Sequence, residues 1–267
     1  MNMNEVVGRD DLLLMTFDTL RFDVAQEAWS AGRIPNLTKH LPADGWERRH
    51  TPGNFTYAAH TAFFAGFFPT PARPGRHPRC FALRFPGSET STHDTCVLDG
   101  DNIIGGLAAR GYHTICIGGV GFFNKQSPLG CVLPSLFAES HWSPELGVAN
   151  PDSTAHQVRL ALTRLALIPV DRRVLLFLNL SALHQPNYFY RPEARIDSLE
   201  THQAALEYVD RQLPPLFSAL EKRGAGFGIL CSDHGTAYGE DGYQGHRLSH
   251  QVVCDVPYAE IHWEKRL

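Results

Sequence analysis

The 267-residue sequence contains no uncharged apolar run approaching ~18 residues, so no stretch reads as a membrane-spanning helix. Residues 1–11 lack a basic region leading into an apolar core, which a secretion signal would need, so a soluble, cytoplasmic protein is expected. Cys80, Cys96, Cys116, Cys131, Cys231 and Cys254 are irregularly spaced and form no C-x-x-C pair. That fits reduced core thiols better than a zinc knuckle or a disulfide frame. No basic block interleaves with aromatics and the net charge is −4, which removes the footprint of a nucleic-acid partner. Internal repeats and low-complexity tracts are absent as well.

What is present is a chain with 43% hydrophobic and 19% charged residues, long enough for one large α/β core and short for two ordinary domains, so a single domain over 1–267 is expected. Apolar runs at 12–17, 112–117, 174–180 and 226–231 read as buried strands. Helices are expected between them: a short one opened by Pro35 and closed at Gly45, then 54–66, 103–110 and 155–166. A stripe from Leu199 to Leu220 predicts a further helix, kinked or restarted at Pro214-Pro215. Strand and helix alternate, which argues for a mostly parallel sheet covered on both faces. Residues 70–100 read as an irregular excursion whose prolines forbid regular ladders. The turn at 118–121 is glycine-rich but matches neither the dinucleotide nor the P-loop pattern, and a plain turn is favoured.

The stretch at 226–235 organises the rest. A short apolar strand ends abruptly in Ser232-Asp233-His234-Gly235, delivering a carboxylate and an imidazole to its C-terminal edge, where open α/β sheets place ligands. Asp with His suits a transition-type divalent cation better than calcium or magnesium. Read alone, the pair also fits an N-cap Asp, a core-edge His and a turn Gly. The first strand likewise ends in an acid, Asp18, which is either a ligand or a cap. Thr56 opens the 54–66 helix among free backbone N–H groups, as an N-cap or as a nucleophile whose hydroxyl a cation activates. His184 follows the strand at 174–180, and His246 lies just beyond the Asp-His pair.

Seven segments in this order resemble the sulfatase-like branch of the alkaline phosphatase superfamily. They are LLLMTFDTLRFD (12–23), IPNLTKHLPADG (34–45), TYAAHTAFFAGFFP (56–69), GYHT (111–114), HQPNY (184–188), YVDRQLPPLFSAL (208–220) and LCSDHGTAYGEDGYQGH (230–246). The resemblance implies an alkaline phosphatase-like three-layer α/β/α sandwich and a metal-assisted displacement at phosphorus or sulfur. Carried over by position, Thr56 stands where the nucleophile belongs, and Asp18, Thr56, Asp233 and His234 form the metal set. His184 and His246 fall where the anionic group is bound or the leaving oxygen is protonated. His60, in place of the family's Arg, and Asn54 are the expected substrate contacts.

The departures narrow the chemistry. Sulfatases oxidise Cys or Ser in C-x-P-x-R to formylglycine; here Thr56, Ala58 and His60 occupy those places, so that modification is chemically closed. Asp18-Thr19 replaces a pair of acids, which moves the site away from calcium. Asn179 and Ser181 stand where two-metal members carry an Asp, so one metal is supported, zinc first and manganese as the alternative. The resemblance does not extend to the C-terminal subdomain of larger sulfatases, which leaves the pocket open or completed by a second subunit of a homo-oligomer. The expected function is a metal-dependent hydrolase or transferase acting on a small phosphate-type ester. The alternatives are a non-catalytic sulfatase-like scaffold and a sulfuric ester hydrolase that uses unmodified threonine.

Overall fold

The computed structural model describes residues 2–66, 81–83, 96–98 and 101–265. Its strands in chain order are β1 (Asp11–Phe17), β2 (Glu47–His50), β3 (Phe81–Leu83), β4 (Cys96–Leu98), β5 (His113–Ile117), β6 (Glu139–His141), β7 (Val174–Leu180), β8 (Gly226–Cys231), β9 (Ala237–Tyr238), β10 (Gln244–Gly245) and β11 (Asp255–Trp263). Seven of them form the central sheet in the order β2-β11-β8-β1-β7-β5-β6. The pairings β8-β1, β1-β7, β7-β5 and β5-β6 are parallel, whereas β11 runs antiparallel to both β8 and β2.

The period-2 alternation of the apolar strands builds three layers. Leu13, Met15 and Phe17 of β1, with Leu176, Leu178 and Leu180 of β7, pack on one side, under the helices Phe22–Ser30, Ser153–Ala166, Leu199–Gln212 and Pro214–Arg223. Leu12, Leu175 and Phe177 point to the opposite side, where Phe64, Ile104, Leu107 and Val132 cover them. Successive side chains on a strand face opposite ways, so a run apolar at nearly every position must be covered twice. The fold is the expected α/β sandwich with a mostly parallel sheet.

Pro214 restarts the helix: Leu199–Gln212 ends and Pro214–Arg223 begins with Pro at its first turn. A missing N–H costs nothing at that position, and the ring's fixed φ suits it. The first segment opens with Ser198 capping Thr201 and Thr201 capping Ser198 in return. The helix expected up to Gly45 is only Pro35–Thr38. It is held from outside, by the Asp210 carboxylate accepting from the Leu37 N–H at 2.7 Å.

Several elements went unread in the sequence, three of them among the larger or sheet-forming ones. Phe22–Ser30 carries mixed residues, β2 (ERRH) is exposed throughout, and β11 interleaves polar with apolar positions. Of the 70–100 excursion, the described pieces β3 and β4 pair with each other in parallel, so the expectation of no regular ladder fails there. The rest of that excursion lies outside the described residues. Cys116 and Cys231 are buried, Cys131 is exposed and Cys254 is partly buried, and these four are free thiols.

Candidate metal centre and active site

β8, β1 and β7 are adjacent and parallel, so their C-terminal ends open side by side. Asp233-His234 leave β8, Asp18 leaves β1, and His184 follows β7. Asp18, Asp233 and His234 are fully buried, and one donor atom from each falls within 4.8 Å of the others.

Each carboxylate is half-satisfied. Asp18 Oδ2 accepts from Asn179 Nδ2 at 2.9 Å, and Asp233 Oδ1 accepts from the backbone N–H of His234 at 3.0 Å and of Thr19 at 3.2 Å. The other oxygens, Asp18 Oδ1 and Asp233 Oδ2, are buried without a hydrogen-bond partner. An orphaned buried carboxylate oxygen is costly unless something is meant to meet it. His234 Nδ1 lies 2.9 Å from the Gly235 carbonyl, so that nitrogen carries the proton and Nε2 keeps its lone pair. Two free carboxylate oxygens and one imidazole lone pair, converging, are the donor set of a borderline divalent cation.

Electrostatics agree with that fit. With only protein around them, burial pushes Asp233 up to about 7, and burial followed by the neighbouring Asp233 charge pushes Asp18 up to about 6. Burial holds His234 below the ordinary imidazole range, so its neutral form prevails.

Thr56 meets this cluster from another element. It is the first residue of the helix Thr56–Ala65, whose N-cap is Phe55 with no side-chain cap bond. The N-cap alternative for Thr56 is therefore corrected: its hydroxyl is turned inward, 3.4 Å from Asp18 Oδ2 and 3.4 Å from His234 Nε2. An uncapped helix start leaves N–H groups and the positive end of the macrodipole for an anion.

The remaining expected residues divide. His246 stacks toward His234 with ring centroids 4.6 Å apart, and His184 lies 5.5 Å from His246, so both imidazoles border the metal cluster. Burial, reinforced by His234 and His184, pushes His246 down to about 3. His184 Nδ1 is engaged by the Gln185 carbonyl at 2.6 Å, which leaves Nε2 for chemistry. Asn54 is half-buried on the loop before Thr56, and its carbonyl accepts from the Arg247 N–H at 2.9 Å.

His60, expected to contact substrate, lies against the carboxylate cluster, its Nδ1 3.7 Å from Asp233 Oδ2. It is fully buried among Phe63, Phe64, Phe123 and Phe177. Its Nδ1 donates to the Thr56 carbonyl at 2.8 Å, and Nε2 is 3.1 Å from Thr16 Oγ1. Burial pushes it down to about 3, so it is a neutral prop beneath the Thr56 turn.

Sequence reasoning noted Thr19 and Asn179 only as departures from family positions and passed over Thr16, and it missed the supporting contacts of all three. Asn179 Oδ1 accepts from the N–H groups of Gly119 and Val120 at 3.2 and 3.1 Å while its Nδ2 reaches Asp18. The glycine-rich turn thus cradles a side chain, and a Cβ on Gly119 would sit 2.5 Å from the Asn179 carbonyl oxygen. The legible signal was the polar residue breaking each apolar run, Thr16 in β1 and Asn179 in β7.

No family model and no curated protein matches the sequence. Solved structures do match its fold. The C-terminal periplasmic domain of phosphoethanolamine transferase EptC from Campylobacter jejuni superposes with TM-score 0.62 at 16% identity, over 95% of this chain and 79% of that one. The corresponding EptC domain from Escherichia coli, in complex with Zn, gives 0.63 at 11% identity, over 97% and 73%. A protein of the alkaline phosphatase superfamily from Vibrio parahaemolyticus gives 0.56 at 16% identity, over 97% and 62%. The chain therefore has the fold of the alkaline phosphatase superfamily, the superfamily whose sulfatase-like branch its motifs resemble.

Proposed function

We propose that the chain is a metal-dependent enzyme that moves a phosphoryl-type group from a small ester to water or another hydroxyl acceptor, with Thr56 as nucleophile. The observation that carries this reading is the inward Thr56 hydroxyl, 3.4 Å from both Asp18 and His234, beside two orphaned carboxylate oxygens. Asp18, Asp233 and His234 hold the ion. Zinc suits mixed carboxylate and imidazole ligation, manganese being the alternative, and the E. coli neighbour was solved with zinc.

A cation held by Asp18, Asp233 and His234 would lower the pKa of the Thr56 hydroxyl and offset charge gathering on the transferred group. Thr56 Oγ attacks phosphorus as its proton leaves to solvent; the Oγ–P bond forms while the bond from phosphorus to the leaving oxygen breaks. The leaving oxygen takes a proton from His184 Nε2, whose ring is oriented by its Nδ1 bond to the Gln185 carbonyl. In the second half the acceptor oxygen bonds to phosphorus and passes its proton to His184 Nε2, while the bond from phosphorus to Thr56 Oγ breaks and Oγ takes a proton back from solvent. His246, neutral through burial, donates a hydrogen bond to the anionic group, and Asn54 borders the approach to Thr56. Uncapped N–H groups at the helix start add to the oxyanion stabilisation.

The test is turnover of bis(4-nitrophenyl) phosphate with added zinc. Thr56→Ala is expected to abolish turnover with the fold intact, and Thr56→Ser to keep measurable activity because the oxygen survives. Phosphate esters should outpace 4-nitrophenyl sulfate, since the aldehyde route of formylglycine is closed to threonine. Parent-level hydrolysis by Thr56→Ala would refute the nucleophile; a sulfate ester faster than every phosphate ester would refute the reaction class.

A further inference from the structure

Thr19 is a β-branched residue held at φ +66°, in the left-handed region that such side chains avoid. Glycine would make the same turn without strain. The threonine is fully buried, and its two polar groups reach two different walls of the site. Its N–H donates to Asp233 Oδ1 at 3.2 Å, and its hydroxyl donates to the carbonyl of Leu183, the residue before His184, at 3.1 Å. Asn187 Nδ2 donates to the same carbonyl at 2.9 Å.

One residue thus touches the β8 carboxylate and the loop beyond β7, while standing next to Asp18 at the end of β1. The positive φ is what turns the N–H toward Asp233 directly after the chain has delivered Asp18. With Oδ1 of Asp233 occupied by Thr19 and His234, Oδ2 is the oxygen left free.

We propose that Thr19 is a positioning residue: its strained turn aims Asp233 Oδ2 at the metal, and its hydroxyl sets the loop that carries His184 at a fixed distance from that metal. This rests on the reading that Asp18, Asp233 and His234 bind the ion and that His184 serves the leaving oxygen. Strain retained at a site is worth holding where geometry there matters more than stability.

The experiment compares the parent with Thr19→Ser, Thr19→Val and Thr19→Gly. Zinc affinity is read by competition with a chromogenic chelator, the unfolding midpoint by heating, and kcat and KM with bis(4-nitrophenyl) phosphate. Thr19→Val keeps the N–H and loses the hydroxyl, so zinc affinity should hold within about twofold while kcat falls about tenfold with little change in KM. Thr19→Ser should restore kcat. Thr19→Gly likewise keeps the N–H and the turn and loses the hydroxyl, so it should match Thr19→Val, with zinc affinity within about twofold of the parent and kcat about tenfold down, while its unfolding midpoint holds or rises. Parent kcat in either variant would make Thr19 merely structural and overturn the proposal, and a tenfold loss of zinc affinity in Thr19→Gly would show that the backbone N–H is not what aims Asp233. Should Thr19→Val not fold, the Gly variant decides by the same criterion. Asp233→Asn separates the two levels: zinc bound to it as tightly as to the parent would sink the metal reading itself, whatever Thr19 does.

Discussion

Asn179 and Asp18 are joined by a 2.9 Å hydrogen bond from Nδ2 to Oδ2, and the Asn179 amide is itself pinned through Oδ1 by the N–H groups of Gly119 and Val120. The glycine turn after β5 thereby orients the Asp18 carboxylate at the end of β1 through a side chain on β7. Asn179→Ala should weaken zinc binding about tenfold, the usual cost of removing a residue that orients a ligand. It should also lower stability by about 1–3 kcal/mol, because two buried N–H groups lose their acceptor. Chelator competition and urea unfolding read the two effects separately; parent-level zinc affinity would show that Asp18 holds its orientation unaided.

Zinc should stabilise the folded chain. A cation that binds only the folded state adds about 2.7 kcal/mol at one hundred times its Kd. Urea unfolding with saturating zinc and then with chelator should differ by that order. Asp233→Asn, having lost the anionic donor, should show no such difference, and a parent-sized gain in that variant would place the ion elsewhere.

Stability should fall in mild acid, partly through His202. This buried ring sits 3.1 Å from the Tyr238 hydroxyl, with Arg21 and Asp23 as the charges acting on it. Burial, then Arg21, pushes it down to about 3, against an unfolded value of ~6.5. A folded-state value below the unfolded one means that the contribution is whole above pH ~6.5 and is lost as pH falls toward 3. His202→Gln keeps an acceptor for Tyr238 and should reduce the slope of unfolding free energy against pH by about 1.4 kcal/mol per pH unit across pH 6 to 5. Identical slopes in parent and variant would show that His202 charges without cost.

Arg223 closes the opposite end of the sheet. Its guanidinium donates to Asp11 Oδ2 at 3.0 Å and to the carbonyls of Ile168 and Arg172, each at 2.8 Å. Arg223→Met should cost about 3–5 kcal/mol, because Asp11 is left buried with its charge poorly paired. Asp11→Asn added to it should recover part of the loss, since an amide oxygen can still accept from the Val174 N–H. Urea unfolding of the single and double variants measures both, and equal stability of parent and Arg223→Met would refute the anchoring role.

The layers of the fold were legible because runs such as LLLMTF and VLLFLNL are apolar on both faces, and only burial between two helical layers satisfies them. Asp233, His234, Asp18 and Thr56 were legible as residues placed just past such runs or at a helix start. β11 was not, because its alternating polar and apolar residues mark a half-covered strand without saying which neighbour it joins. The surroundings of His60 were not legible, since motif position gave it the place of an arginine and only the packing of four phenylalanine rings shows it enclosed beside Asp233.

From its sequence alone the chain determined which side chains could do chemistry, because residue type sets donor atoms and strand ends set where they emerge. Which oxygen of Asp18 or Asp233 stays free, which way the Thr56 hydroxyl turns, and what holds the loop before His184 were decided by contacts between residues as far apart as Thr19 and Asp233 or Asn179 and Asp18. Such contacts exist only once the sheet order has brought β8, β1 and β7 together, and a linear pattern of residues carries no record of strand order.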